Sequence, residues 1–441
     1  MDILQQILFA GILGSSVWLF SKNIRAIIRN IRLGRDYTAS GSQEQRWRNV
    51  MLLAFGQKKM FTKPLVALMH FIIYAGFLII NLEVLEILTD GLAGTHRVLA
   101  APLGHLYPFL INAFEVLAFL VIVVCIVFLI RRNGLPIARF QKNELNGWPR
   151  SDANIILVIE IILMSLFLFL NASDVSLQEK GVLPYSEHLT GRFLISSYLM
   201  PLIHSWSVGS LMILERTAWW LHIVGILAFL NYLPYSKHLH ILFAFPNAYF
   251  TPQEPAGKMT NMPEIQREVL YAMEPDKIPS DSITPPKRFG AKDVMDLSWK
   301  NLMDAYSCTE CGRCSEVCPA NSTGKLLSPR KIMMDTRDRL DEVGRLIDKT
   351  GQWEEDGRSL LHDYIRPEEI RACTTCNACV EACPVSINPL DIILQLRRYQ
   401  AMEESQVPPE WTSLFSTTET SMAPWKFPPS ERENWRFQPS S

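Results

Sequence analysis

The chain has 441 residues, a net charge of −1 and 48% hydrophobic residues. This near-neutral balance gives no electrostatic ground for a nucleic-acid partner, and the length allows more than one domain. Every long apolar run lies in residues 1–245, whereas 250–441 are polar, charged and proline-rich. The pattern predicts a membrane half followed by a soluble half.

Five apolar runs are long enough to cross a bilayer, which needs about 20 residues. They cover 3–20, 65–88, 107–130 and 153–170, and a fifth starts near Thr217, reaches about Leu233 and continues as helix past Pro234. The first run has Asp2 before it, no leading positive charge and no small-residue cleavage site, so it reads as a span rather than a removed signal. "NIRAIIRNIRLGR" then sets isoleucines at 24, 27, 28 and 31 against arginines, a helical stripe that extends the first span along the cytoplasmic interface. Ten Lys and Arg separate spans one and two, and five separate spans three and four. The second loop has only Arg97, and the long fourth has Lys180, Arg192 and Arg216. Positive loops stay in the cytoplasm, which puts the N-terminus outside and the chain's exit from span five inside. In the outer loop, "GRFLISSYLMPLIHSW" predicts a helix lying on the outer surface.

Histidines in or beside these spans are the first functional signal, since buried imidazole in a bilayer needs a partner. His222 and His240 are 18 residues apart, about five full turns, and on one straight helix they would share a face about 27 Å apart. His238 would point the other way. His70 follows Lys63 and Pro64 closely, so it belongs near the cytoplasmic surface, at the depth expected for His240. Two imidazoles from two helices at one depth are what a six-coordinate b-type haem needs. The plainer reading is hydrogen bonding between helices. An outer haem at His222 would need a second ligand, for which His105 is preferred to His204. Glu83, Glu86, Glu115 and Glu160 also lie in or beside spans; quinone proton chemistry is one use for them, but such residues more often snorkel or hydrogen-bond a neighbour, and they are not assigned as catalytic.

Eight of the nine cysteines form two runs in the soluble half. The ninth, Cys125, reads as a small buried side chain. "CTECGRCSEVCP" carries Cys308, Cys311, Cys314 and Cys318, and "CTTCNACVEACP" carries Cys373, Cys376, Cys379 and Cys383. Both are C-x2-C-x2-C-x3-C-P, in which three thiolates converge on one cubane and the fourth ligates the other cluster. Cys308, Cys311, Cys314 and Cys383 are therefore expected on one [4Fe–4S] cluster, and Cys373, Cys376, Cys379 and Cys318 on a second. Zinc sites pair two C-x2-C units instead, without a triple run or a trailing proline. Between the runs, Ser328 and Pro329 open a helix that ends near Gly351. After them, Asn388 and Pro389 open another. The fold class expected is all-α: a five-helix transmembrane haem b bundle over 1–245, a linker over 246–300, a helical two-[4Fe–4S] ferredoxin domain over 301–403, and an extended Pro/Trp-rich tail over 404–441 that packs on a partner.

On the five spans, the outside N-terminus, the His-x17-His pair and "LPYSKHLHI", residues 1–245 resemble the haem b subunit of respiratory nitrate reductase, its gamma subunit. That family has two ligands on span two, whereas this sequence has only His70 there. The two cysteine runs make residues 300–400 similar to the iron–sulfur C subunit of heterodisulfide reductase and to the helical ferredoxin domain of succinate dehydrogenase and fumarate reductase iron–sulfur subunits. The fusion resembles membrane-bound heterodisulfide-reductase-like iron–sulfur oxidoreductases of prokaryotic plasma membranes, some of which act as electron-transfer-flavoprotein:quinone oxidoreductases. The resemblance implies an oxidoreductase that passes electrons between quinone as substrate and a cytoplasmic redox partner, with the cluster domain in the cytoplasm. It also implies a separate partner protein bearing the cysteine-rich CCG domain, like heterodisulfide reductase B, or an electron-transfer flavoprotein. The rival reading is a non-catalytic membrane anchor with structural or sensory clusters.

Overall fold

A computed structural model describes residues 2–187, 189–255, 257–277 and 288–437. The described residues form helices joined by turns and loops, with isolated bridges and no strand. Five helices are long and apolar enough to cross a membrane: α1 (Ile3–Ile31), α2 (Pro64–Ala93), α3 (Leu106–Asn133), α4 (Trp148–Glu179) and α5 (Val208–Tyr232). In the bundle α4 packs on α3 and α5, α2 on α3, and α1 on α2 and α5. Apolar side chains such as Leu4, Leu65, Phe109 and Ile213 face outward, as lipid contact requires.

Three helix boundaries depart from the sequence reading. α4 continues to Glu179 because its polar end is buried among partners. Arg97 donates to Asn171 at 2.8 Å and pairs with Asp174, and Gln178 donates to Thr190 at 3.0 Å. α5 starts nine residues before Thr217, where the Ser207 hydroxyl accepts the Ser210 N–H at 3.1 Å. Glu215 and Arg216 mark no boundary. They pair with each other, and Tyr185 donates to Glu215 at 2.8 Å. The expected continuation past Pro234 fails as a single helix. A tight turn over Leu233–Tyr235 follows α5, Ser236 is extended, a second turn covers Lys237–Leu239, and α6 (His240–Tyr249) begins anew. Pro234 lacks the N–H that would continue the ladder. Ser236 instead donates to Asp152 at 2.7 Å and accepts from the His238 N–H at 3.0 Å. His222 and His240 are thus on different helices, and the five-turn argument for a shared face does not apply.

The outer segment 191–206 is not a surface helix. It is a pair of short turns, Ser196–Tyr198 and Met200–Ile203, with Phe193 and Ile203 buried in the bundle. The end of α1 extends the first span as read, and protein covers its isoleucine face. Ile27 and Ile31 are buried with Leu302, Ile332 and Leu396 of the soluble half.

The soluble half is built on α7 (Trp299–Ser307), α8 (Pro329–Thr350) and α9 (Pro389–Met402), packed on one another. The caps read from the sequence are present. Ser328 accepts the Lys331 N–H, Gly351 closes α8 at φ 85°, and Asn388 accepts the Asp391 N–H at 3.1 Å. In the segment read as a linker, 278–287 and residue 256 lie outside the described residues. Ala291, Val294 and Leu297 from it are fully buried in the soluble core. In the tail, α10 (Pro409–Ser421) replaces the extended arm over its length. Trp411, Trp425 and Trp435 are exposed, and 438–441 lie outside the described residues.

Candidate functional site

Both cysteine runs fold the same way. Backbone φ is positive at the third and fifth positions of each motif: Glu310 and Gly312 in the first, Thr375 and Asn377 in the second. Alternating the backbone hand in this way curls a short loop around a centre, so that sulfurs and N–H groups face inward. At Gly312 φ is 74° and a Cβ would stand 2.5 Å from the Arg330 guanidinium, which would have to shift; the second motif has Asn377 at the matching position.

The structure brings Cys308, Cys311, Cys314 and Cys383 around one cavity, with Gly312, Pro384 and Ile387 in its wall. Cys314 has Cys311, Cys308 and Cys383 as neighbours. In the second group, Cys379 is beside Cys373, Cys318 and Cys376. Cys379 also borders the first cavity, so the two groups adjoin. Among the described residues no three His, Cys, Asp or Glu side chains converge to hold a single metal ion. A cubane instead takes a thiolate at each of four separate corners. Two backbone N–H groups point at sulfur, Thr375 to Cys373 at 3.4 Å and Ile387 to Cys383 at 3.3 Å, the kind of bond that tunes cluster potential. Burial pushes the Cys308 and Cys383 thiols up to about 12, so binding iron here must displace their protons. The four-thiol donor sets and the N–H groups directed at sulfur fit an iron–sulfur cluster at each group.

The histidines divide into two kinds. His70 and His240 are near neighbours. The His70 Nδ1 is 3.0 Å from Gln57 Oε1, and the His240 Nδ1 is 3.0 Å from the Lys237 carbonyl oxygen. Each Nδ1 is thereby engaged, which leaves Nε2 to meet a metal, the usual arrangement for a ligating imidazole. His70 and His240 are each partly exposed, as is His238. This pair fits a haem. His238 stacks at the side, 5.4 Å from the His240 ring and 5.3 Å from Phe229. His222 is 0% exposed, its Nδ1 2.9 Å from the Leu163 carbonyl oxygen and its Nε2 3.9 Å from Glu83 Oε2. His105 is exposed at the start of α3. The structure does not bring His105 and His222 together in any hydrogen bond or ring contact among the described residues.

Two short paths join the imidazole pair to the first cysteine group. Lys237, whose carbonyl oxygen engages His240, forms a buried ion pair with Glu310, which sits between Cys308 and Cys311. Arg337 completes the charge balance at 2.8 Å from Glu310. Arg313, also inside the first motif, lies within electrostatic reach of His70, Cys311 and Cys383 and donates to the Lys59 carbonyl oxygen at 3.2 Å. Around them, Lys63 and Arg139 both pair with Glu316, at 2.6 and 2.8 Å, and Arg330 pairs with Glu144 at 2.8 Å. The cluster domain is therefore seated on the loop before α2, the loop before α4 and the end of α5. Sequence reasoning missed Gln57, Lys237, Glu310 and Arg313 as parts of the site. Only Glu310 and Arg313 carried a signal, their position inside the first motif.

Residues 307–387 match the 4Fe-4S dicluster domain family. At 27% identity over 98% of its length the chain is similar to the probable iron-sulfur-binding oxidoreductase FadF of Bacillus subtilis. The chain's homologues are iron–sulfur oxidoreductases. It is also 27% identical, over 95% of its length, to the EtfAB:quinone oxidoreductase of Syntrophomonas wolfei. Over 27% of its length, and 60% of the relative's, it is 33% identical to the C subunit of the ferredoxin/F(420)H(2)-dependent CoB-CoM heterodisulfide reductase of Methanosarcina acetivorans. The chain spans 61% of the Bacillus protein and 56% of the Syntrophomonas protein. No solved structure matches.

Proposed function

We propose that this chain is the membrane electron-transfer part of an oxidoreductase, passing electrons between membrane quinone and a cytoplasmic redox partner. When bound, two [4Fe–4S] clusters and a b-type haem would each carry one electron at a time. Cys308, Cys311, Cys314 and Cys383 hold one cluster, Cys373, Cys376, Cys379 and Cys318 hold the other, and His70 and His240 hold the haem. The single observation that carries this reading is the adjacency of the imidazole pair to the first cysteine group, through Lys237–Glu310 on one side and Arg313 on the other. A purely structural cluster domain has no need of that seat.

Gln57 and the Lys237 carbonyl oxygen orient the imidazoles, and Glu310 and Arg313 fix the first cysteine loop against them. Seating the cluster domain on the positively charged loops supports a cytoplasmic location for it in a prokaryotic plasma membrane. Quinone as the membrane substrate and an electron-transfer flavoprotein as partner are supported by the name of the Syntrophomonas relative. A further subunit of the heterodisulfide-reductase kind is the alternative partner, supported by the name of the Methanosarcina relative, a C subunit.

The test is spectroscopic, on the purified full chain. Dithionite should produce a b-type haem band and a pair of interacting [4Fe–4S] EPR signals. His70→Ala and His240→Ala should each abolish the same haem band. Cys318→Ser should perturb the cluster of the second motif rather than the first. Signals from clusters alone, with no haem band, would favour the anchor reading instead.

A further inference from the structure

The bundle holds a second deeply placed histidine, and what faces it decides how many haems the chain can bind. His222 is fully enclosed, and its Nδ1 lies 2.9 Å from the Leu163 carbonyl oxygen. With Nδ1–H donated there, Nε2 is the free position, the one an iron would need. It faces a carboxylate. Glu83 Oε2 stands 3.9 Å away, on a side chain only 5% exposed, and neither atom has a hydrogen-bond partner among the described residues. Phe167 closes another side, its ring 6.1 Å from the imidazole. Glu83 is 13 positions beyond His70 on α2, about 20 Å further along the helix. The two sites are therefore distinct levels of the same bundle.

The contrast with the other level is internal to the molecule. His70 and His240 are near neighbours and each is partly exposed, whereas His222 is fully buried with a carboxylate 3.9 Å from its Nε2. Among the described residues no other histidine is brought against His222, and His188, in the same loop as His204, lies outside them. His105 and His204 are exposed, His96 lies 3.4 Å from Asp174, and His362 is in the soluble half against Glu404.

We infer that the chain binds one haem, not two, and that the outer imidazole is half of a buried acid–base pair with Glu83. The inference rests on the haem reading given above and sharpens it: the carboxyl of α2 occupies the side of His222 on which an iron would have to sit. Burying an imidazole and a carboxyl is costly unless each meets a complementary group, and here each open atom has the other 3.9 Å away and no hydrogen-bond partner. His222 on α5 thus faces the buried Glu83 carboxyl of α2 and holds no metal.

The decisive measurement is the haem-to-protein ratio of the purified full chain by pyridine haemochrome, with iron and acid-labile sulfide measured on the same sample. One haem per chain is expected. His222→Gln and Glu83→Gln should both retain it, with an unchanged reduced-minus-oxidised spectrum, whereas His240→Ala removes it. Two haems per chain, or the loss of half the haem in His222→Gln, would overturn the inference. A chain with no haem but a full complement of sulfide would refute the haem reading itself. The wild-type ratio decides even where a variant fails to assemble.

Discussion

Lys237 and Glu310 carry the joint between the two halves on a pair of side chains. Lys237 is 9% and Glu310 5% exposed, and an ion pair so placed must be complete to be tolerated. Burial alone would raise the Glu310 carboxyl, but Arg337 and Lys237 outweigh it and hold the carboxyl below its usual range. Burial pushes the Lys237 ammonium down against the pull of Glu310. Lys237→Met leaves a buried carboxylate with Arg337 as its remaining cation, an imbalance of about 3 kcal/mol by analogy with other broken buried pairs. The solubilised protein should melt several degrees lower, and Lys237→Arg should recover part of the loss. A Met variant with unchanged melting would show that the pair is not integral to the joint. Asp296 gives a pH counterpart. Burial raises its carboxyl, but Arg288 and the Lys292 and Asp293 N–H groups more than offset that, so it lies below the ordinary carboxylate value. A depressed carboxyl contributes stability above its unfolded value and loses it as pH falls through the folded one, here below about pH 4. Asp296 also holds Arg35 at 3.1 Å. Asp296→Asn should therefore lower stability by about 1 kcal/mol at neutral pH and flatten the acid limb of a stability–pH curve. An acid limb identical to wild type would count against that role.

At the scale of elements, most of the secondary structure was legible because it is written in local chemistry. Ser328–Pro329, Gly351 and Asn388–Pro389 mark helix ends by satisfying orphan N–H groups or by adopting a left-handed turn, and they do so whatever the rest of the chain does. The cysteine loops were legible for the same reason, since their spacing is their geometry. The boundaries that misled are those where a distant partner overrides local polarity. The fourth span reads as ending at 170 until Arg97 and Thr190 are placed beside Asp174 and Gln178, and the fifth reads as continuing past Pro234 until Asp152 captures Ser236. The link between α1 and the segment before α7 was equally invisible. Arg35 N–H donates to the Leu297 carbonyl oxygen at 2.7 Å and its own carbonyl oxygen accepts from Trp299 at 2.9 Å. Gly34 lies against that bridge so closely that a Cβ would meet the Trp299 nitrogen at 2.6 Å and the Leu297 oxygen at 2.9 Å. Both atoms are backbone and cannot swing away. Gly34→Ala should part the two segments at a cost of about 1–3 kcal/mol. Hydrogen exchange at the Arg35 and Trp299 amides should accelerate in the variant; unchanged protection of both would mean the segments adjust without separating.

Across the whole molecule, the division into a membrane half and a soluble half holds for composition but not for packing. Ile27 and Ile31 of α1 and Leu239 and Phe243 beside the end of the bundle belong to the same buried cluster as Leu302, Ile332, Ile393 and Leu396 of the cluster domain. Asn30 Nδ2 donates to the Tyr306 hydroxyl at 3.0 Å inside that seam, and Arg29 donates to the Gly344 carbonyl oxygen at 3.0 Å. The sequence shows the stripe at 24, 27, 28 and 31 plainly. A stripe says that a face is covered, not what covers it, and a lipid headgroup layer and a protein core call for the same isoleucines. The consequence is testable by excision. A fragment of residues 288–403 keeps all eight motif cysteines but uncovers the surface on which four large side chains sit, each contributing about 1.5–3 kcal/mol when buried. A single domain has only about 5–15 kcal/mol of net stability to lose. The fragment should therefore bind a hydrophobic dye, exchange its α7 and α8 amides rapidly, and lose iron faster than the intact chain. A monomeric fragment holding both clusters with the EPR signals of the full protein would show instead that the membrane half merely rests on a finished domain. In that case the Lys237–Glu310 joint, and not the shared core, would be what keeps the imidazole pair and the first cluster in register.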